Sequence, residues 1–336
     1  MSIKLENGTV LLNNPPSIIS SAAVGGKKEA QGPLVEYFSY IAKEGHFGQA
    51  TWEKAETELQ KEALQFALDS SGIAISDIDY IFSGDLLNQC IASSFAHRDS
   101  GAAFIGMYGA CSTFAEGLAL SAMFVNSGYA KNAATCVSSH FCSAERQYRF
   151  PMEYGGQRPP TAQWTVTGAG CTIVGTSSEE LPKITSVLFG SIVDAGITDA
   201  NNMGAAMAPA AYDSFHKFFA DTATSPSDYD LIVTGDLGKI GMDILIDLFK
   251  IVDGIDISEN YIDCGVEIYN RKAQDVNSGG SGAGCSASVF SGYLAREITN
   301  GRWKKVLFGG TGALLSPLSS QQGESIPGIC HVVCIN

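Results

Sequence analysis

An internal repeat is the feature that most constrains how this chain can fold. Residues 77–86 read DIDYIFSGDL, and residues 228–237 read DYDLIVTGDL. Further on, residues 109–112 (GACS) are echoed by residues 283–286 (AGCS), and each of these begins a helix-length stretch of small and apolar residues. Two matches in the same order, with the same predicted elements between them, indicate a duplicated unit.

Each half is predicted to contain an amphipathic helix, a strand, a loop, a buried helix and a strand. Residues 53–68 place apolar side chains on one face of a helix, and residues 213–220 occupy the equivalent place in the second half. Apolar strands are predicted over 133–138 and 306–310. Alternating helices and apolar strands imply a layered α/β fold, which we divide into halves 1–175 and 176–336.

The helix predicted over residues 112–126 is apolar or small on all sides apart from Glu116. A helix of this kind belongs in the middle of a fold. Its small residues would let it lie close to the equivalent helix from Ser286 onward. The repeat therefore predicts two central helices packed against each other.

Composition limits the classes of partner and of site. The net charge of −14 argues against nucleic acid or an anionic membrane surface as a direct partner. None of the nine cysteines forms a CxxC pair, so we expect a reducing cytosol and no disulfide framework or metal site. The glycine-rich run 279–284 lacks the Lys-Ser/Thr of a phosphate-binding loop, and we expect no cofactor.

Cys111 is the candidate nucleophile. At the start of the central helix, a thiol lies near the positive end of the helix dipole, which would lower its pKa and favour an acyl-carrying role. The alternative is a small buried residue without chemistry. Of the five histidines, His140 is the best candidate for a base or a pocket residue, because it directly follows a predicted strand. His216 lies among phenylalanines, where packing is the simpler role.

Three arginines fall within one segment rich in aromatic residues, glycine and proline. Arg146, Arg149 and Arg158 lie between His140 and Trp164, and no lysine occurs between Lys131 and Lys183. Guanidinium groups beside aromatic rings suit a flat ligand that carries carboxylates. The alternative is that these arginines pair with nearby glutamates or with a dimer partner.

With these motifs placed, the chain resembles the stage V sporulation protein AD family, thiolase-fold proteins of spore-forming bacteria. The resemblance covers nearly the whole chain. It is carried by the stretches 84–89 (GDLLNQ), 108–112 (YGACS), 138–141 (SSHF), 143–147 (SAERQ), 154–170, 201–209 and 312–328.

The resemblance implies a thiolase-like αβαβα fold and a homodimer. It also implies binding of dipicolinic acid (pyridine-2,6-dicarboxylate) or its calcium chelate, and a part in its uptake into the developing spore. Membrane proteins of the same sporulation operon are the implied partners. The implied location is cytoplasmic, at the forespore or spore inner membrane and held there through these partners.

Catalytic members of the thiolase and ketoacyl synthase families pair their cysteine with His and His or Asn from the second half. Here the expected positions read TGDLG (234–238) and GGSGAGC (279–285), with neither His nor Asn. Losing such partners removes general acid–base help worth roughly 10²–10⁴ in rate. We therefore expect a binding protein on an enzyme scaffold, with the ligand contacted by a set of six residues. These are Cys111, His140, Arg146, Arg149, Arg158 and Asp236.

Two other functions stay open at this point. One is an acyltransferase or condensing enzyme that uses Cys111, with His140 or Asp236 in an unusual role. The other is a structural adaptor that docks on basic cytosolic loops of membrane proteins.

Overall fold

The computed structural model describes residues 2–148, 158–176 and 178–336. Its strands are β1 (Ile3–Lys4), β2 (Val10–Leu11), β3 (Ser17–Gly25), β4 (Tyr40–Ile41), β5 (Tyr80–Gly84), β6 (Ala103–Met107), β7 (Asn132–Ser139), β8 (Trp164–Thr165), β9 (Gly168–Gly175), β10 (Ile184–Leu188), β11 (Leu231–Thr234), β12 (Tyr261–Asp263), β13 (Gly280–Ser281), β14 (Val306–Ala313) and β15 (Gly328–Ile335). Its helices are α1 (Trp52–Ser71), α2 (Ile91–His97), α3 (Thr113–Asn126), α4 (Phe141–Tyr148), α5 (Met203–Thr222), α6 (Gly238–Leu248), α7 (Cys264–Glu267), α8 (Ala283–Val289), α9 (Ala295–Thr299) and α10 (Pro317–Gln321).

The two large sheets have the same internal pairing, which confirms the repeat. In the first, ordered β4-β3-β9-β7-β5-β6, β5 runs parallel to β6 and β7, while β9 runs antiparallel to β7 and β3. In the second, ordered β1-β2-β10-β15-β14-β11-β12, β11 runs parallel to β12 and β14, while β15 runs antiparallel to β14 and β10. The strands predicted from the DxD-strand-GDL motif are β5 and β11.

Three apolar clusters separate the layers. Residues of α3 and α8 pack between the two sheets, against Phe82 and Val174 of the first and Phe308 of the second. Residues of α1 cover the other face of the first sheet. Residues of α5 and α6 cover the other face of the second. The layer order is therefore α, β, α, β, α, as expected.

The central helices approach the strands so closely that glycine is required. A Cβ atom on Gly310 of β14 would lie 2.3 Å from the Ala115 Cβ of α3. The Ser286 hydroxyl of α8 donates to the Cys111 carbonyl at 3.4 Å, so the two copies of the repeated motif meet. This contact places the start of α3 beside the start of α8.

Two features differ from the sequence prediction. Helix α5 begins at Met203, ten residues before the predicted start, because its first half is buried nearly all round and has no amphipathic pattern. The hairpin β1–β2 belongs to the first half in sequence but pairs with β10 in the second sheet. The proposed boundary at residue 175 coincides with the end of β9. Within the described residues, no helix has the length and apolarity needed to cross a membrane.

Candidate functional site

The turn before α3 places the Cys111 thiol. Ala110, between β6 and α3, has a φ of +53°, in the left-handed region. The hydroxyls of Ser112 and Thr113 donate to the carbonyls of Gly109 and Ala110, at 2.6 and 2.7 Å. These bonds hold the backbone so that the thiol lies at the amino end of α3, as the sequence predicted.

Cys111 lines a cavity of about 260 Å³. The two halves both contribute to its wall, which consists of Leu86, Ala110, Cys111, Ala144, Glu145, Tyr148, Thr165, Ala200, Asn201, Met203, Ser281, Gly282, Ala313 and Leu315. Most of these side chains are apolar or small. Helix α4 contributes Glu145 and Tyr148, and the Tyr148 hydroxyl donates to the Leu86 carbonyl at 2.8 Å. That bond fixes α4 against the loop after β5.

A fully buried carboxylate, Asp236, lies behind the thiol. It accepts hydrogen bonds from the Gly282 N–H at 2.9 Å, the Thr311 hydroxyl at 3.1 Å and the Ser281 hydroxyl at 3.2 Å. Its negative charge also acts on the Cys111 thiol, whose pKa it raises. Burial raises the pKa of Asp236 to about 6, and these donors oppose the increase.

The pKa of Cys111 is raised well above its ordinary value. Burial is the main cause, and the Asp236 carboxylate adds to it. The sequence prediction that the helix dipole lowers this pKa was therefore wrong. Two effects outweigh the helix dipole at the amino end of α3. They are the loss of solvent and the negative charge of Asp236, which is 125 positions away in sequence.

Asp263, at the end of β12, is a second buried carboxylate that the sequence analysis missed. It accepts from the Thr234 hydroxyl at 2.7 Å and from the backbone N–H groups of Leu237 and Gly238 at 2.8 and 2.9 Å. Burial raises its pKa to about 7, and Asp236 contributes to the increase. The sequence signal that could have identified Asp263 is its position directly after an apolar strand. The structure places that strand next to β11.

His140 does not face the cavity, which corrects the prediction that it could line it. Its Nε2 is bonded to the Gly45 carbonyl at 2.7 Å, and its Nδ1 accepts from the Cys142 N–H at 3.2 Å. Both ring nitrogens are therefore used by backbone groups. Burial lowers the pKa of His140, so the imidazole is neutral. Its role is to tie α4 to the loop before α1.

The arginines are divided between two places. Arg146 forms an ion pair with Glu53 and lies over the Trp52 ring, beside a different cavity. Arg158 pairs with Glu145 at 3.1 Å and lies over the Trp164 ring at 4.8 Å. Arg149 lies outside the described residues. Of the two predicted arginines that the structure describes, Arg158 is the one that contacts a residue of the Cys111 cavity wall, Glu145.

Solved structures with a similar fold define the class of this protein. OleA from Xanthomonas campestris matches with a TM-score of 0.62 and 14% identity, over 97% of this chain and 98% of that chain. A 3-oxoacyl-(acyl carrier protein) synthase III from Xanthomonas oryzae matches with a TM-score of 0.59 and 14% identity, over 96% and 98%. At this identity, the likeness shows the thiolase-like fold alone.

Sequence comparison then gives the family. The model of the stage V sporulation protein AD family matches residues 6–336. Stage V sporulation protein AD of Bacillus subtilis (strain 168) is 41% identical over 325 residues, which cover 97% of this chain and 95% of that protein. The chain therefore belongs to the stage V sporulation protein AD family and is a sporulation protein with a thiolase-like fold.

Proposed function

We propose that this protein binds dipicolinic acid in the Cys111 cavity, without catalysis, and takes part in its uptake into the developing spore. The observation that carries the proposal is that Cys111, which lines the cavity, is buried and affected by the negative charge of buried Asp236, so that its pKa is raised. A nucleophilic cysteine acts as its thiolate. Here the neighbouring carboxylate and burial both favour the protonated thiol.

The rest of the cavity supports binding of a small molecule. Among the described residues, no histidine lines it, and histidine is the side chain that most often carries a proton between a nucleophile and its substrate. Its volume of about 260 Å³ is below the roughly 300–1,000 Å³ of most ligand pockets, which favours a compact ligand over a long acyl chain.

Arg158 supports a ligand that carries carboxylates. Its guanidinium lies over the stacked rings of Phe141 and Trp164, whose centroids are 4.2 Å apart. It already binds the Glu145 carboxylate at 3.1 Å. Its Nη1 donates to the Gln163 carbonyl at 2.9 Å. Because Glu145 lines the cavity, the positive charge of Arg158 can attract a ligand carboxylate bound there.

Calorimetric titration of the purified protein with dipicolinate tests the proposal. We expect binding, and we expect Arg158→Gln to weaken it by about tenfold or more, or about 1.4 kcal/mol. Arg146→Gln is the matched control, because it removes the same charge beside another cavity, and its affinity should stay within about twofold. Absence of binding to both dipicolinate and its calcium chelate would end the proposal. An equal loss of affinity in Arg158→Gln and Arg146→Gln would show that the ligand does not bind next to Arg158.

An acyltransferase is the second candidate, favoured by one observation: Cys111 lies at the amino end of α3 in a thiolase-like fold. Incubation with a panel of acyl-coenzyme A thioesters, followed by intact mass measurement, separates the two. A covalent acyl adduct that is lost in Cys111→Ser would support this candidate over binding alone.

We also propose that the protein forms a homodimer and associates with membrane proteins of the same sporulation operon. Strand β6 is at the edge of the first sheet, and Phe104 on β6 and Phe95 on α2 are exposed apolar side chains beside it. An exposed apolar edge strand is suited to pairing with a second copy. Light scattering after size exclusion should show a dimer that Phe104→Lys weakens. Ile251→Lys, at an exposed site elsewhere, should leave the dimer unchanged.

A further inference from the structure

A second cavity, larger than the Cys111 cavity, lies along the outer edge of β3. Its volume is about 350 Å³. Strand β3 and the turn 36–39 form one side, and the segment 291–300 forms the other. Many of its lining side chains carry hydroxyl groups: Ser20, Ser21, Ser39, Ser70, Ser291 and Thr299. We call it the β3-edge groove.

The outer edge of β3 is covered by other chain segments at both ends of this groove. At one end the Ile18 N–H donates to the Pro182 carbonyl at 2.9 Å. At the other end the Ala23 carbonyl accepts from the Ser39 N–H at 2.8 Å. Between these contacts, Ile19, Ser20 and Ser21 are the half-buried residues of an otherwise buried strand. The edge is therefore open only along the groove.

The backbone of Ser21 faces the groove. Ala23 points its carbonyl outward, and the N–H and C=O of alternate residues in a strand point to the same side. Ser21, two residues earlier, points both groups outward. The register shift between Ile18 and Ser20 keeps Ile18 outward as well. No backbone group in the described chain is bonded to Ser21 on that side.

The groove also contains a cation suited to an acidic ligand. The Arg296 guanidinium lies over the Tyr37 ring at 5.3 Å and donates to the Glu36 carbonyl at 3.3 Å. None of the ion pairs between described residues includes it. Glu36 is the other charged lining residue, so an acidic group would bind at the Arg296 end.

We propose that the β3-edge groove binds an extended polypeptide segment that pairs with Ser21 and places an acidic side chain at Arg296. The distance from Ile18 to Ala23 is about 16 Å at 3.3 Å per residue, enough for three or four extended residues. Main-chain hydrogen bonds to an open sheet edge are a common way to bind such a segment. This site is separate from the Cys111 cavity and does not depend on dipicolinate binding.

Fluorescence polarisation with two labelled, amidated tetrapeptides tests the site on the full chain. We expect Val-Thr-Asp-Thr to bind at least tenfold more tightly than the matched Val-Thr-Lys-Thr. Ser21→Pro removes the outward N–H without touching the bonds to β9 and should weaken binding at least tenfold. Ser21→Ala keeps the N–H and should bind within about twofold. Arg296→Gln should abolish the difference between the peptides.

If Ser21→Pro does not fold, hydrogen exchange at the Ser21 amide of the unmodified protein tests the proposal instead. The Ser21 amide should exchange rapidly and become protected when the acidic peptide is added, while the Ala22 amide, which points toward β9, stays protected throughout. Binding of neither peptide, or no protection of Ser21, would overturn the proposal. The Ser21 amide could instead be protected in the free protein and lose this protection on dilution. That result would show that a second copy of the chain occupies this edge, and it would also overturn the proposal.

Discussion

The burial of Cys111 and the negative charge of Asp236 together decide the chemistry of the site. Burial and the neighbouring carboxylate both raise the pKa of the Cys111 thiol and so disfavour the thiolate. Three donors, on Ser281, Gly282 and Thr311, bond to the Asp236 carboxylate and favour its ionised form. The proton therefore stays on the sulfur, and Cys111 acts as a polar contact at the base of the cavity.

Asp236→Asn should make Cys111 more reactive. The substitution removes the negative charge that opposes the thiolate, while burial, the larger cause of the raised pKa, remains. We expect iodoacetamide to alkylate Cys111 roughly three- to tenfold faster at pH 8, since one pKa unit is a factor of ten in thiolate. Peptide mass spectrometry measures the rate at this cysteine.

The control for this prediction is Thr311→Val, which removes a hydrogen bond to Asp236 but keeps its charge. Its alkylation rate should stay close to that of the unmodified protein. A rate in Asp236→Asn that is equal or slower would mean that the carboxylate does not hold the thiol protonated.

At the scale of elements, α1 is fixed to the first sheet by a buried polar cluster. Glu56 of α1 accepts from the hydroxyls of Ser138 at 3.0 Å and Ser143 at 2.7 Å. Gln60, one turn on, donates to Ser138 at 2.8 Å and to the Gly84 carbonyl at 3.0 Å. These bonds connect α1 to β5, β7 and α4. The position of α4, and so of one cavity wall, depends on this cluster.

Glu56 should make the protein less stable as the pH rises. Burial, with a contribution from Asp85, raises the pKa of Glu56 from 4.5 to about 8 in the folded state. Between those pH values the folded state holds a proton that the unfolded state has released, so the free energy of unfolding falls as pH increases. Thermal unfolding at pH 6 and pH 8.5 should show this loss, on the order of 1–3 kcal/mol.

Glu56→Gln should reduce that difference, because the amide stays neutral at both pH values and can bond to the same hydroxyls. Glu58→Gln is the control, since Glu58 is on the solvent side of α1. It should keep the pH dependence of the unmodified protein. A pH dependence unchanged in Glu56→Gln would assign the effect to another buried acid, such as Asp85 or Asp263.

The sequence predicted elements better than it predicted contacts between distant elements. The repeat located β5, β11 and the two central helices, because their pattern is local. It also marked Cys111, whose place at the start of a helix is local too. The site environment could not be found in this way, because the effect of Asp236 on Cys111 depends on the packing of α3 against α8. The position of the His140 ring could not be predicted for a related reason. The ring is bonded to the carbonyl of Gly45, which is far away in sequence.

For the whole molecule, the two halves share one core. Side chains of α3, from the first half, and of α8, from the second, belong to the same buried cluster as Phe82 and Phe308. The hairpin β1–β2 crosses from the first half into the second sheet. Neither half buries its central helix alone, so each would expose a large apolar surface if it were separated.

We therefore expect the intact chain to unfold in one cooperative transition. Residues 1–175 and 176–336, expressed separately, should each lack a cooperative thermal transition in calorimetry, because α3 and α8 lose the surface that covers them. Mixing the two fragments should restore a transition if they assemble as in the intact chain. A sharp transition in either fragment alone would show that the halves are independent domains, and the cavity between them would then be an interface rather than part of one core.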